Sequence, residues 1–159
     1  MPQHKSVNYQ LEPVGNGDVE RIRKYKLASI LDYAGDLNQA ELDRINHYVD
    51  EQLPKQLGYY RNVVCGGVTV GSILVRQIDD GLLLDEIFVE KKYRGRGIGS
   101  SVIKNILSCS NDSVFLWVYK ANVDAIRLYR NLGFVVVDET NTRYYMAYST
   151  DESSFISSV

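Results

Sequence analysis

Residues 82–107 constrain the fold of this chain more than any other stretch. An apolar run enriched in β-formers, Leu82-Leu83-Leu84-Asp85-Glu86-Ile87-Phe88-Val89, stops at Glu90-Lys91-Lys92. A glycine-rich turn follows, Tyr93-Arg94-Gly95-Arg96-Gly97-Ile98-Gly99. Ser100-Ser101 then opens a helix in which Val102, Ile103, Ile106 and Leu107 recur at helical spacing, with Ile98 one turn earlier. The order is strand, glycine loop, helix. A helix N-terminus offers unpaired N–H groups and the positive end of its dipole. Glycines at 95, 97 and 99 admit a ligand close to the backbone, and Arg94 and Arg96 add positive charge. The stretch predicts an anion site, for phosphate.

Two common phosphate loops do not fit. A P-loop ends in Gly-Lys-Ser/Thr, whereas this loop ends Gly97-Ile98-Gly99-Ser100. A dinucleotide fingerprint needs G-x-G-x-x-G and an acid closing the next strand. Here Gly95 and Gly97 fit, but the last position is Ser100, and the next strand ends Trp117-Val118-Tyr119-Lys120. What remains is Arg-x-x-Gly-x-Gly at Arg94, Gly97 and Gly99. A second motif lies downstream, Asn122-x-x-Ala125-x-x-Leu128-Tyr129-x-x-x-Gly133-Phe134. Asn122 and Tyr129 are seven residues apart, two helical turns, and so share one side of that helix.

Together these motifs resemble the GNAT superfamily of acetyl-coenzyme A dependent N-acetyltransferases. The resemblance covers the chain before its tail and is specific from about Leu82 to Phe134. It implies that Arg94, Gly95, Arg96, Gly97, Ile98, Gly99 and Ser100 hold the pyrophosphate of acetyl-coenzyme A, with Ile87, Phe88 and Val89 beside the cofactor. It implies that backbone N–H near Val89 polarises the thioester carbonyl. Asn122 would hold the pantetheine arm, and Tyr129 would protonate the leaving thiolate. Without a ligand, Asn122 reads as a helix cap and Tyr129 as packing with Ile126 and Leu132.

Acetyl transfer to an amine needs the neutral amine, because an ammonium has no lone pair. Asp85 and Glu86 are the candidate bases, directly or through water. Both interrupt an apolar strand, which costs stability if they are buried and unpaired. Neighbours on a strand face opposite sides, so one faces the site unless a bulge, implied by the resemblance, intervenes. Some small-amine and polyamine acetyltransferases carry an acidic pair in this register. Other members place a glutamate two residues before Asp85, where this chain has Leu83. Either acid could instead be solvated or salt-bridged. The cysteines and histidines offer less: Cys65 reads as core, Cys109 closes a helix, His47 lies on a helix surface and His4 in the leading segment.

With 159 residues and 45% hydrophobic content, the chain predicts one domain over residues 1–149 and a Ser-rich, frayed tail over 150–159. A net charge of −2 gives no basic footprint for nucleic acid. No leading apolar segment and no run long enough for a membrane span are present, so the expected location is cytoplasmic. Two cysteines make neither a disulfide framework nor a metal set, and no metal is expected.

A short strand within Val7–Val14 is followed by a helix from Asp18, its cap, to about Tyr33, with Val19, Ile22, Leu27, Ile30 and Leu31 on its apolar side. Asn38 and Glu41 form a capping box for a second helix, ended by Pro54 and Gly58. Tyr59–Cys65 and Val68–Arg76 form a hairpin around Gly66-Gly67, and Asp79-Asp80-Gly81 turns into the central strand. After the glycine loop and its helix come a strand from Val114 to Tyr119, a short helix closed by Gly133, and a last strand pair around Thr140-Asn141-Thr142. The expected fold is α/β (α+β): a mixed sheet of six to seven strands flanked by about four helices, the GNAT fold that the resemblance implies. The expected acceptor is a primary amine on a cationic small molecule, because Asp32, Asp36, Asp79, Asp80, Asp85 and Glu86 are acidic. A peptide or protein amine is the alternative, and a non-catalytic acyl-coenzyme A binding module is the rival outside enzymes. A homodimer is compatible with the sequence.

Overall fold

The computed structural model describes residues 6–149. Seven strands and four α-helices follow in the order β1 (Gln10–Pro13), α1 (Val19–Leu31), α2 (Gln39–Gln56), β2 (Tyr60–Cys65), β3 (Val68–Ile78), β4 (Gly81–Val89), α3 (Ile98–Cys109), β5 (Ser113–Tyr119), α4 (Val123–Asn131), β6 (Val135–Glu139) and β7 (Arg143–Tyr148). The strands form one mixed sheet in the order β1-β2-β3-β4-β5-β7-β6. This is the α/β architecture expected from the sequence.

Backbone packing divides the described residues into two compact units, one running to Leu74 and taking in Glu86–Gly99, the other of Val75–Asp85 and the residues from Ser100 onward. In the first unit β1 and β2 pair antiparallel, as do β2 and β3. The β2–β3 hairpin closes at Gly66-Gly67, with φ of 57° and 79°, the left-handed pair that a two-residue turn of this kind requires. Ile22 and Tyr25 of α1, Leu53 of α2, Tyr60 of β2 and Leu74 of β3 make the core, with Val14, Val19, Leu57 and Phe88 packed on it. Gly71 has a steric reason: a Cβ there would stand 2.0 Å from the carbonyl oxygen of Phe88. The Asn38 box forms, with Glu41 N–H donating to Asn38 Oδ1 at 2.9 Å and Asn38 N–H to Glu41 Oε2 at 2.8 Å.

In the second unit a helix crossover joins β4 to β5, and the two pair in parallel from Gly81 with Ser113 to Leu83 with Phe115. β7 pairs antiparallel with both β5 and β6. Val102, Ile103 and Leu107 of α3, Val114, Leu116 and Val118 of β5, Phe134, and Met146 and Ala147 of β7 are buried.

Several local expectations change. Asp18 precedes α1, but its carboxylate turns back to accept from the Gly15 N–H at 2.8 Å and pairs with Arg21 at 2.6 Å. Pro54 does not end α2; the helix runs on to Gln56, where burial of Leu53 and Gln56 holds the last turn against one missing N–H. α3 begins at Ile98, two residues early, because Gly97 is the last left-handed residue and Ile98 is already buried. Cys65 lies half-buried at the hairpin end rather than in the core, and burial pushes its thiol up. The buried residues of α1 are Ile22, Tyr25 and Lys26, while Leu31 is exposed. The predicted tail over 150–159 and His4 lie outside the described residues.

Candidate active site

At the end of β4, Ile87, Phe88 and Val89 are half-buried. A single tight turn, Lys91–Tyr93, leads into the glycine loop. Gly95 and Gly97 take φ of 78° and 83°, a left-handed backbone that other residues rarely adopt. A Cβ at Gly95 or Gly99 would meet no described atom within 4 Å, and one at Gly97 would meet Val7 Cγ2 at 3.7 Å. The loop is thus open beside its backbone, and it enters a twelve-residue helix whose first turn holds Ile98, Gly99 and Ser100. Open backbone at a helix N-terminus suits a phosphate-bearing ligand.

Arg94 does not hang free. Its Nε donates to the Val89 carbonyl at 2.7 Å, and its guanidinium lies 5.2 Å from the centre of the Phe88 ring. Arg96 donates to the Lys92 carbonyl at 3.3 Å and lies 5.6 Å from the Tyr93 ring. The Glu90 N–H is taken by the Val70 carbonyl at 2.8 Å.

The two candidate acids are engaged by different cations. Asp85 pairs with Arg76 on β3 at 2.6 Å, with both side chains partly exposed. Glu86 Oε2 pairs with Lys26 Nζ of α1 at 3.0 Å and accepts from the Tyr60 hydroxyl of β2 at 2.6 Å. Glu86 Oε1 is buried and has no hydrogen bond among the described residues. Lys26 and Tyr60 escape attention in the sequence. The available signal was a lysine four residues after Ile22 on the inward side of α1, matching a carboxylate in an apolar strand. Tyr25, next to Lys26, stacks on Phe88 with ring centres 4.6 Å apart. Burial, and then the nearby Glu90 carboxylate, push its phenol up to about 12.

In the second unit Asn122 caps α4, its Oδ1 accepting from the Ala125 N–H at 3.3 Å. Tyr129 is buried in α4, and its ring packs tilted against Phe134, with centres 5.8 Å apart. Leu132 and Phe134 both donate backbone N–H to the Tyr129 carbonyl, at 3.1 and 3.0 Å, which closes the helix before β6. Among the described residues, no group of three His, Cys, Asp or Glu side chains could hold a metal ion, and no helix is long and apolar enough to cross a membrane.

Comparison with known proteins extends these observations. A family model described as Acetyltransferase (GNAT) family matches residues 27–134. A probable spermine N(1)-acetyltransferase of Bacillus subtilis subsp. natto is 33% identical over 58 residues, 32% of this chain and 37% of that protein. N-alpha-acetyltransferase 30 of Dictyostelium discoideum is 34% identical over 89 residues, 51% of this chain and 48% of that protein. The chain therefore spans less than half of the length of either relative. Among solved structures, the paia N-acetyltransferase of Thermoplasma acidophilum in complex with coenzyme A superposes with a TM-score of 0.70 at 16% identity, covering 90% of this chain and 99% of that one. At that identity the likeness speaks for the fold.

Proposed function

The chain belongs to the Acetyltransferase (GNAT) family, and on that premise we propose that it transfers an acetyl group from acetyl-coenzyme A to a primary amine by direct attack in a ternary complex. The observation that carries this reading is the loop of left-handed Gly95 and Gly97, open beside its backbone, running into the first turn of α3. Backbone N–H groups from Gly97 to Ser100, with Arg94 and Arg96, hold the pyrophosphate. Ile87, Phe88 and Val89 flank the cofactor arm, and the amide N–H2 of Asn122 binds it while Oδ1 stays on the helix cap. The N–H near Val89 polarises the thioester carbonyl.

Acetyl-coenzyme A supplies an activated acyl carbon; the residues of the chain manage the protons. Glu86 takes one proton from the acceptor ammonium through Oε1, directly or by way of water, and releases it to solvent. The neutral nitrogen then forms its bond to the acyl carbon as the bond to sulfur breaks. The hydroxyl of Tyr129 gives a proton to the departing thiolate and is reprotonated at the expense of the second N–H proton. Both acids have a cationic partner, and Glu86 is preferred to Asp85 because its side chain is the more buried, 11% exposed against 26%, and its ion pair leaves Oε1 unengaged.

The acceptor we favour is a cationic small amine. Asp85 and Glu86 already have cationic partners; the acidic character that remains comes from Asp32, Asp36, Asp79 and Asp80, all exposed. The spermine acetyltransferase relative supports this choice, and the N-alpha-acetyltransferase relative supports a peptide amine as the second reading. Release of free thiol from acetyl-coenzyme A, with mass detection of the product, separates them. Spermine should be acetylated and a peptide with a free N-terminal amine should not. The reverse result selects the peptide reading, and coenzyme A binding without turnover of any primary amine selects a binding module.

A further inference from the structure

Lys26 is an unusual residue for the middle of a helix face that packs on a core. Its neighbours on that face are Ile22, wholly buried, and Tyr25, 5% exposed. The side chains of Lys26 and Glu86 are 9% and 11% exposed. A buried ion pair is poor evidence of stabilisation, because removing two charges from water costs about as much as their attraction returns. An apolar pair would serve packing as well. The geometry of the three groups is also one-sided. The ammonium of Lys26 and the hydroxyl of Tyr60, itself fully buried, both converge on Oε2 of Glu86, at 3.0 and 2.6 Å. Lys26 Nζ also lies 3.4 Å from the Tyr60 oxygen, so the three groups close a triangle drawn from α1, β2 and β4. The other carboxylate oxygen, Oε1, is buried and unbonded among the described residues. Buried acceptors are nearly always satisfied, and an exception calls for a cause.

We propose that Lys26 and Tyr60 are positioning residues for Glu86. They fix Oε2 and turn Oε1 to the acceptor nitrogen as the atom that receives its proton. In that step the N–H bond breaks and an O–H bond forms on Oε1, while Lys26 keeps all three of its protons. Arg21 is held by Asp18 and by Asn62 Oδ1, and Arg76 is held by Asp85. This inference rests on the assignment of Glu86 as base in the reading above.

The test is a mutant cycle in the full chain, with acetyl-coenzyme A and spermine. Glu86→Gln should lower kcat by roughly 10²-fold or more, the range for a positioned base. Lys26→Met should lower kcat by roughly tenfold or more with the KM for acetyl-coenzyme A unchanged, and should cause no further loss in the Glu86→Gln background. Tyr60→Phe is measured beside it, because it keeps the buried ring and deletes one hydroxyl; it too should act on kcat and only when Glu86 is present. Independent, additive losses would overturn the proposal, since a residue needed only for packing would lower activity in either background. A normal Glu86→Gln enzyme would instead defeat the assignment of the base. An impaired Glu86→Gln enzyme with normal Lys26→Met and Tyr60→Phe would defeat the positioning role alone. A second measurement needs no acceptor. In crystals of Lys26→Met/Tyr60→Phe the Glu86 carboxylate should leave its rotamer, and a carboxylate still in place would show that the strand, not these two residues, orients it.

Discussion

Arg94 is folded back onto the strand that precedes it, its Nε 2.7 Å from the carbonyl oxygen of Val89. The contact braces the entrance of the glycine loop, and the Phe88 ring lies beneath the guanidinium. Contacts within the chain thus hold the loop entrance, which reduces the ordering that ligand binding must impose. Coenzyme A should raise the melting temperature by mass action. Gly97 has φ of 83°, so Gly97→Ala and Gly97→Asp should both lower the melting temperature of the free protein. Only Gly97→Asp, which adds a like charge beside the phosphates, should abolish the coenzyme A shift. Calorimetric melts of the three proteins with and without coenzyme A decide this, and an undiminished shift in Gly97→Asp would remove the loop as the phosphate site.

Tyr129→Phe keeps the ring that packs on Phe134 and removes only the hydroxyl. Its melting temperature should stay near that of the wild type, and coenzyme A should still bind. Thiols have a pKa near 8.5, so thiolate is a tolerable leaving group and the loss should be partial. Turnover should fall by roughly 10²-fold, the scale of one general acid. Steady-state rates with an accepted amine are the measurement, and an unchanged rate in the folded variant would leave Tyr129 with packing alone.

The two adjacent acids should differ in their pH behaviour. Replacing the true base by its amide lowers the rate near neutrality, and alkaline solution recovers part of the loss because the acceptor then deprotonates unaided. Glu86→Gln should show this recovery. Asp85→Asn, which breaks only the pairing with Arg76, should keep the wild-type profile. Rate profiles from pH 6 to 10, a window set to span roughly the neutral and amine ranges, distinguish them; the opposite pattern would make Asp85 the base.

Tyr25 gives a stability prediction with a definite sign. Burial and Glu90 raise its phenol to about 12 from an ordinary value of 10.0. The folded state thus holds this proton more tightly than the unfolded chain. The associated stabilisation is complete below about pH 10, falls as the pH rises, and is gone above about pH 12. Urea melts between these limits should show a steeper alkaline loss in wild type than in Tyr25→Phe, whose ring still stacks on Phe88. Parallel losses would mean that Tyr25 titrates as an exposed phenol.

Much of the architecture is legible because local rules and tertiary packing agree. The alternation around Gly66-Gly67, the Asn38–Glu41 box and the glycine loop each demand one backbone form, and each takes it. Val49 and Leu53, one turn apart on α2, are both buried. The α1 face resists sequence reading because periodicity scores a lysine as solvent-facing. Lys26 turns inward only because Glu86, sixty residues away, supplies its partner. Tyr60 is hidden for a like reason, its carboxylate partner lying 26 residues further along the chain. Pro54 shows the opposite limit: a helix-stop signal yields when the following residues gain by burial. At the candidate site, the loop and the Asn122–Tyr129 helix are readable from spacing. The partners of Asp85 and Glu86 are not, since a carboxylate in a strand does not announce which cation it will meet.

Initial velocities distinguish direct acetyl transfer from a route through an acetylated protein. Acetyl-coenzyme A and spermine are varied together, and the intact mass of the protein is followed with acetyl-coenzyme A alone. Direct attack predicts reciprocal plots that intersect and a protein mass that does not change before the amine is added. Parallel plots, together with an acetylated protein that passes its acetyl group to spermine, would contradict the account.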